Sequence, residues 1–430
     1  MQVKHYDLIQ EKLYVETLAN GLTVYVLPKK GFQKTYATFA TRYGSIDRDF
    51  QVEGKERVQV PDGIAHFLEH KMFEEPKGDV FAQFASQGAS ANAFTSFDRT
   101  VYLFSSTNEV FSNIETLLNF VQNPYFTDEN VEKEKGIIGQ EINMYQDNPD
   151  WRVYFGLIGA MYQKHPVYID IAGTIPSITA ITKEMLYECY RTFYHPTNMA
   201  LFVVGAVDPE EVMLLVRDNQ NKKTFGEQGK IARFYPDEPL DVREKMRKTK
   251  LPVSMPKCLI GFKENQTAKG RELHIKDIQM RIVMDVLFSS SSDLYQKLYE
   301  EKIITDQFGS EYRSHPDYAF SIIGGDTPDA DLLVKRLKEE IESVLREGIR
   351  EADFERSRRK KIGGYLRMLN APESIANQFT DYAFKGMDFF DTLTIYEELQ
   401  LEQVNACMRA HFDWDQMAIS IVESEAVSTS

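Results

Sequence analysis

The chain has 430 residues, 43% hydrophobic and 12% aromatic, enough apolar material for large cores and a length that suggests two to three domains. Its formal net charge of −15 lacks the basic field of a nucleic-acid binder; it suits a cationic peptide, although such acidity usually serves solubility alone. Three cysteines, Cys189, Cys258 and Cys407, lie far apart with no CxxC, which argues against a disulfide framework or a cysteine-ligated zinc.

The first residues, Met1-Gln2-Val3-Lys4-His5-Tyr6-Asp7, lack the apolar core of a signal peptide, and no apolar run reaches membrane-span length, so a cytoplasmic location is expected. Leu13 to Leu27 reads as two β-runs turned at Asn20-Gly21, and Lys34 to Thr41 as a third strand. Asp62-Gly63 opens a helix expected to end near Pro76. A helix over Phe81 to Gln87, broken by Gly88, precedes strands at Asn92–Thr95 and Arg99–Phe104. Helices follow over Val110–Gln122 and Asp128–Tyr145, the latter stopped before Asn148-Pro149. Met199 to Val204 is a buried strand ended by Gly205. Asn219 to Lys250 is polar, carries Pro236 and Pro239, and reads as a linker before a second β-then-α half that begins at Lys257–Phe262.

The helix after Gly63 carries His66-Phe67-Leu68-Glu69-His70. One turn of helix separates the two histidines, and Glu69 falls beside them, so two imidazoles and a carboxylate point into one space. That set suits zinc, with Glu69 as a base, once a third ligand is found. Alone, such a pair of helix histidines is more often a surface or core feature than a metal site. Glu134 and Glu141 are two helical turns apart and share a face, while Glu129 and Glu132 read as solvated. Gly136 and Gly139 inside that helix suggest close approach to another helix.

The second half repeats the first. A slide of 218 residues places Cys407 on Cys189 and Met417 on Met199; near residue 130 a slide of 223 places Pro372 on Pro149. At these offsets His66, Glu69 and His70 meet Met284, Leu287 and Phe288, while Glu134 and Glu141 meet Ser357 and Gly364. Any metal set therefore belongs to the first half.

His66-x-x-Glu69-His70, followed about seventy residues later by Glu134-x6-Glu141, resembles the pitrilysin family, which includes insulin-degrading enzyme and the mitochondrial processing peptidase. The runs Asp62–His66 and Glu134–Tyr145 are most similar to a bacterial subgroup of the YmfH type, whose label links it to elongation factor P modification. The resemblance implies an α+β fold of two homologous α/β-roll domains, each an antiparallel-rich sheet with helices packed on one side. Residues 1–218 would form the zinc-bearing domain, 219–250 the linker and 251–430 a degenerate repeat. It implies one Zn2+ per chain held by His66, His70 and Glu141, with Glu69 as general base and Glu134 in support of the site. Gly88–Ser96 resembles the family's substrate strand, in which Asn92 and Ala93 would hold peptide backbone.

One departure stands out. Where the family has an Arg and a Tyr seven residues apart in the second half, this chain has Tyr299 and Asp306. The expectation is a zinc endopeptidase or processing subunit acting on peptides or unfolded segments, completed by a paralogous subunit that supplies the Arg/Tyr pair. Neither nucleic acid nor membrane is an expected partner. The alternative is a non-catalytic assembly or scaffold subunit.

Overall fold

The computed structural model describes residues 1–76, 78–264 and 268–424. Strands β1 (Gln2–Tyr6), β2 (Glu11–Thr17), β3 (Thr23–Pro28) and β4 (Thr35–Thr41) open the chain. Gly21, at φ +90°, turns between β2 and β3, and a Cβ there would lie 2.4 Å from the Thr197 side chain. Short strands β5 (Asp49–Val52) and β6 (Arg57–Gln59) lead into α1 (Ile64–Met72). That helix stops before the expected Pro76 because Phe73 stacks on Phe81 at 4.4 Å and the chain folds back as the hairpin β7 (Glu74–Glu75) and β8 (Gly78–Asp79). Asp79 then caps α2 (Val80–Ser86), and β9 (Ala89–Thr95), β10 (Thr100–Ser106), α3 (Val110–Val121) and α4 (Asp128–Gln146) follow. Next come α5 (Pro149–Met161), α6 (Ile175–Thr179), α7 (Lys183–Phe193), β11 (Met199–Gly205) and α8 (Pro209–Asn221).

The remaining elements are β12 (Ile231–Arg233), β13 (Met246–Lys250), β14 (Lys257–Glu264), α9 (Gly270–Phe288), α10 (Asp293–Glu300), β15 (Gly309–Ser314) and β16 (Ala319–Asp326). Helices α11 (Ala330–Glu347), α12 (Glu351–Met368), α13 (Pro372–Phe384), α14 (Thr392–Glu398) and α15 (Leu401–His411) precede β17 (Met417–Glu423).

The duplication is visible in strand order. One sheet runs β1-β2-β3-β11-β4-β10-β9 and the other β13-β17-β14-β16-β15. The second repeats the last five places of the first, and in each the one parallel pair occupies the same place, β3 with β11 and β13 with β17. The mixed helix-and-sheet fold is thus two copies of one antiparallel-rich pattern.

The compact units do not follow the halves of the sequence. The first comprises 1–142, 169–235 and 367–384; the second comprises 143–168, 236–366 and 385–430. Helix α13 belongs to the first, where Phe379 stacks on Phe202 at 4.3 Å and Thr380 meets Thr38 at 3.0 Å. Helix α5 belongs to the second, where its Gly156 lies so near Ser420 of β17 that a Cβ would sit 2.6 Å from the hydroxyl. Pro149 and Pro372 begin these two helices, so equivalent elements have changed places. The 219–250 stretch is no tether. Within it β12 pairs with β5 in the first unit and β13 pairs with β17 in the second, while Glu238 accepts from the backbone N–H groups of Gln163, Lys164 and His165 in the second unit. Its strands are short and sit at sheet edges, which hides them from a periodicity reading.

Candidate metal centre

Helix α1 starts at Gly63, which adopts φ +86°. A Cβ there would lie 2.5 Å from the Ala172 carbonyl oxygen, so backbone-to-backbone packing fixes where the helix begins. Ile64, Phe67, Leu68 and Met72 bury one side of it. The opposite side carries His66, Glu69 and His70, with the imidazole rings 4.5 Å apart. Helix α4 answers with a stripe of Val131, Glu134, Ile138 and Ile142, and Glu141 lies on the same side, partly exposed.

The two helices meet through these side chains. Glu141 Oε2 lies 3.8 Å from His66 Nε2 and 3.6 Å from His70 Nε2. One ligand atom each from His66, His70 and Glu141 falls within 4.8 Å of the others. Ligands of a four-coordinate zinc, at about 2.0–2.2 Å from the ion, lie about 3.3–3.5 Å from one another, close to the two Glu141–histidine distances. Burial, with help from His70, pushes the His66 imidazole down to about 3, leaving it neutral as a metal ligand must be. Its Nδ1 is buried without a hydrogen-bond partner among the described residues, so the ring is not committed to an internal bond. The donor set fits zinc.

The surroundings are also built. His70 Nδ1 lies 3.0 Å from Glu134 Oε1. Burial opposes charge on His70, but Glu134 together with Glu69 and Glu141 outweighs it and raises the imidazole. Burial likewise opposes ionisation of Glu134, yet His70 and Lys71 hold its carboxyl below the usual range. Burial pushes the Glu69 carboxyl up, partly opposed by the Thr95 hydroxyl, which donates to its Oε2 at 2.8 Å.

Thr95 closes β9, the edge strand of its sheet, so that strand is tied directly to Glu69. Asn92 and Ala93 lie on the same strand, opposite Leu103 and Tyr102. The Ala93 N–H donates to Asn92 Oδ1 at 2.9 Å.

Tyr299 is 51% exposed near the end of α10, and Asp306 follows in the loop before β15. The glycine expectation fails. A Cβ at Gly136 would meet nothing within 4 Å, and one at Gly139 only Ile175 Cδ1 at 3.4 Å, so no helix requires them. Sequence reasoning missed Thr95 and Lys71. Thr95 looks like an ordinary strand residue; a lysine beside His70 was the available signal, because 71 falls on the core side of α1. The three cysteines are unpaired by disulfide, and among the described residues no helix is long and apolar enough to cross a membrane.

The chain resembles known proteins along most of its length. Residues 58–175 match the model described as "Insulinase (Peptidase family M16)", and 180–361 match "Peptidase M16 inactive domain". The uncharacterized zinc protease YmfH of Bacillus subtilis (strain 168) is 54% identical over 96% of this chain and 97% of its own. The uncharacterized zinc protease YmxG of the same organism is 26% identical over 84% and 88%. The crystal structure of an M16-like peptidase from Alicyclobacillus acidocaldarius superposes with a TM-score of 0.94 at 43% identity, covering 96% of this chain and 99% of that one. With both family models matched in tandem and the paired histidines inside the first, the chain belongs to the insulinase (M16) family of peptidases.

Proposed function

We propose that the chain is the metal-bearing subunit of a zinc-dependent endopeptidase acting on peptides or unfolded segments. The observation that carries this is the convergence of His66, His70 and Glu141, from two helices, with Glu69 beside them. Those three residues would hold one zinc, and Glu134 would orient His70. Zinc bound there supplies a Lewis acid for the scissile carbonyl and makes water acidic enough to act as a nucleophile near neutral pH. Glu69 takes the proton of the attacking water and returns it to the leaving amine nitrogen. Its raised carboxyl suits both steps, and Thr95 keeps it in one orientation. The edge of β9 would receive the peptide as an added strand; Ala93 N–H would exchange Asn92 Oδ1 for a peptide carbonyl.

Tyr299 and Asp306 cannot supply a guanidinium and a phenol to a developing oxyanion. A paralogous subunit carrying Arg and Tyr would complete the site. The same departure favours a second reading, a non-catalytic assembly subunit.

The test is cleavage of a quenched peptide by the full chain, alone and with its paralogue, with and without chelator. Glu69→Gln is expected to keep its zinc and lose about 10²–10⁴-fold in rate. Unchanged cleavage by that variant removes Glu69 from the mechanism, and brisk turnover by the chain alone removes the need for a second subunit. Zinc without cleavage in any combination favours the assembly subunit.

A further inference from the structure

Lys71 is the next residue after His70, yet it is fully buried, with 0% of its surface exposed. A buried ammonium is costly unless paired. Its Nζ donates to Glu74 Oε2 on β7 and lies 3.5 Å from Glu134 Oε2. Glu74 is 38% exposed and keeps water, whereas Glu134 is buried. The other Glu134 oxygen, Oε1, is the one that meets His70 Nδ1 at 3.0 Å. One carboxylate is thus divided, one oxygen to the imidazole and one toward the ammonium. A residue at 71 points about 100° around the helix from one at 70, so the two side chains are joined through Glu134 rather than directly.

We propose that Lys71 is a positioning residue of the metal centre, fixing Glu134 so that Glu134 fixes His70, and thereby setting zinc affinity without touching the ion. This rests on the zinc reading of the site. Partners that orient a ligating histidine are worth about 10–100-fold in metal affinity. Lys71 is the third link of such a chain, and Glu74 ties it to the hairpin after α1.

The experiment is zinc affinity of the full chain, by competition with a chromogenic chelator, for wild type, K71M, E134Q and K71M/E134Q. K71M is expected to bind zinc about 10–100-fold more weakly. E134Q should lose a similar factor, and the double variant should match E134Q within about twofold, because Lys71 acts through Glu134. K71M with wild-type affinity overturns the proposal, as does a double variant about tenfold weaker than E134Q. If K71M does not fold, the double variant decides. It buries no stranded anion, so folding with E134Q-like affinity supports the proposal, and failure to fold overturns it. A wild-type chain that takes up no zinc overturns the metal reading, and this proposal with it; tight zinc binding by wild type and K71M alike overturns this proposal alone.

Discussion

Helices α1 and α4 of the first unit and α9 and α12 of the second are copies of one pair, and they close in opposite ways. In the second unit the positions of His66, Glu69 and His70 hold Met284, Leu287 and Phe288, all buried in the apolar core. The polar contact between α9 and α12 is made one residue along, at Asp285. Its carboxylate accepts from Ser357 Oγ at 2.9 Å and Lys360 Nζ at 2.8 Å and pairs with Lys361 at 3.2 Å. That cluster is neutralised by its own side chains. In the first unit three carboxylates, Glu69, Glu134 and Glu141, gather about two imidazoles, with Lys71 a cation within reach. The same backbone frame therefore carries a self-sufficient contact in one copy and a set that a divalent cation would complete in the other. The proposed metal site is then a contact left unfinished, and its copy shows what finishing it with protein alone looks like.

Zinc should separate the two units most visibly. If only the first unit needs the ion, zinc at about a thousand times its dissociation constant stabilises the chain by about 4 kcal/mol. Hydrogen exchange should place the protection on α1 and α4 and leave α9 and α12 unchanged. Glu141→Gln should remove most of the gain and lower zinc content. Equal protection of both helix pairs, or full zinc occupancy in Glu141→Gln, contradicts this division between the two units.

The second unit should answer to acid at a cluster of its own. Glu264 on β14 accepts from His411 Nδ1 at 2.6 Å, from Tyr312 Oη at 3.1 Å and from Lys276 Nζ. Burial opposes its ionisation, but His411 and Lys276 outweigh it and hold its carboxyl down to about 2, from the ordinary 4.5. A carboxyl depressed on folding adds stability that is full above the unfolded value and is lost as pH falls through the folded one. The contribution, about 3 kcal/mol from a shift of this size, should fade between about pH 4.5 and pH 2. Glu264→Gln should therefore be less stable than wild type at neutral pH, and urea titrations should show the gap closing across that window. A gap that does not change with pH means the Glu264 cluster is held by shape and not by charge.

How much of this was open to reading depends on whether the signal is local. His66, Glu69 and His70 are legible because helix periodicity alone sets their common face, and Glu134 and Glu141 because seven residues make two turns. The doubled fold is legible because matched strands keep their offset, 218 residues from Met199 to Met417. The exchange of α5 and α13 is not legible, since an amphipathic helix states that it has a buried face and not which sheet will cover it. Lys71 falls on the core side of α1, but nothing local names its partner until α4 supplies Glu134. Gly136 and Gly139 misled for the same reason: a glycine permits close approach but does not name a neighbour, and here Gly136 has none within 4 Å and Gly139 leaves ordinary van der Waals room beside Ile175.

The smallest expected difference between the two copies lies at the strand ends. Thr95 ends β9 and donates to Glu69 on α1; its counterpart Ser314 ends β15 and donates to Asp277 on α9 at 2.9 Å. Both copies keep a strand-end hydroxyl on a helix carboxylate. In the second, Arg281, itself partly exposed, also donates to Asp277, at 2.6 Å, so an ion pair holds that carboxylate beside the hydroxyl. In the first, the hydroxyl holds a carboxylate proposed to move protons. Ser314→Ala should then cost only stability, about 1 kcal/mol. Thr95→Val should cost about tenfold in kcat, the rate equivalent of one such bond, with zinc content and KM little changed. Thr95→Ser, which keeps the hydroxyl, should restore the rate. If Thr95→Val lowers stability and leaves kcat alone, the two hydroxyls do the same structural work and Glu69 needs no partner on β9 to serve as a base.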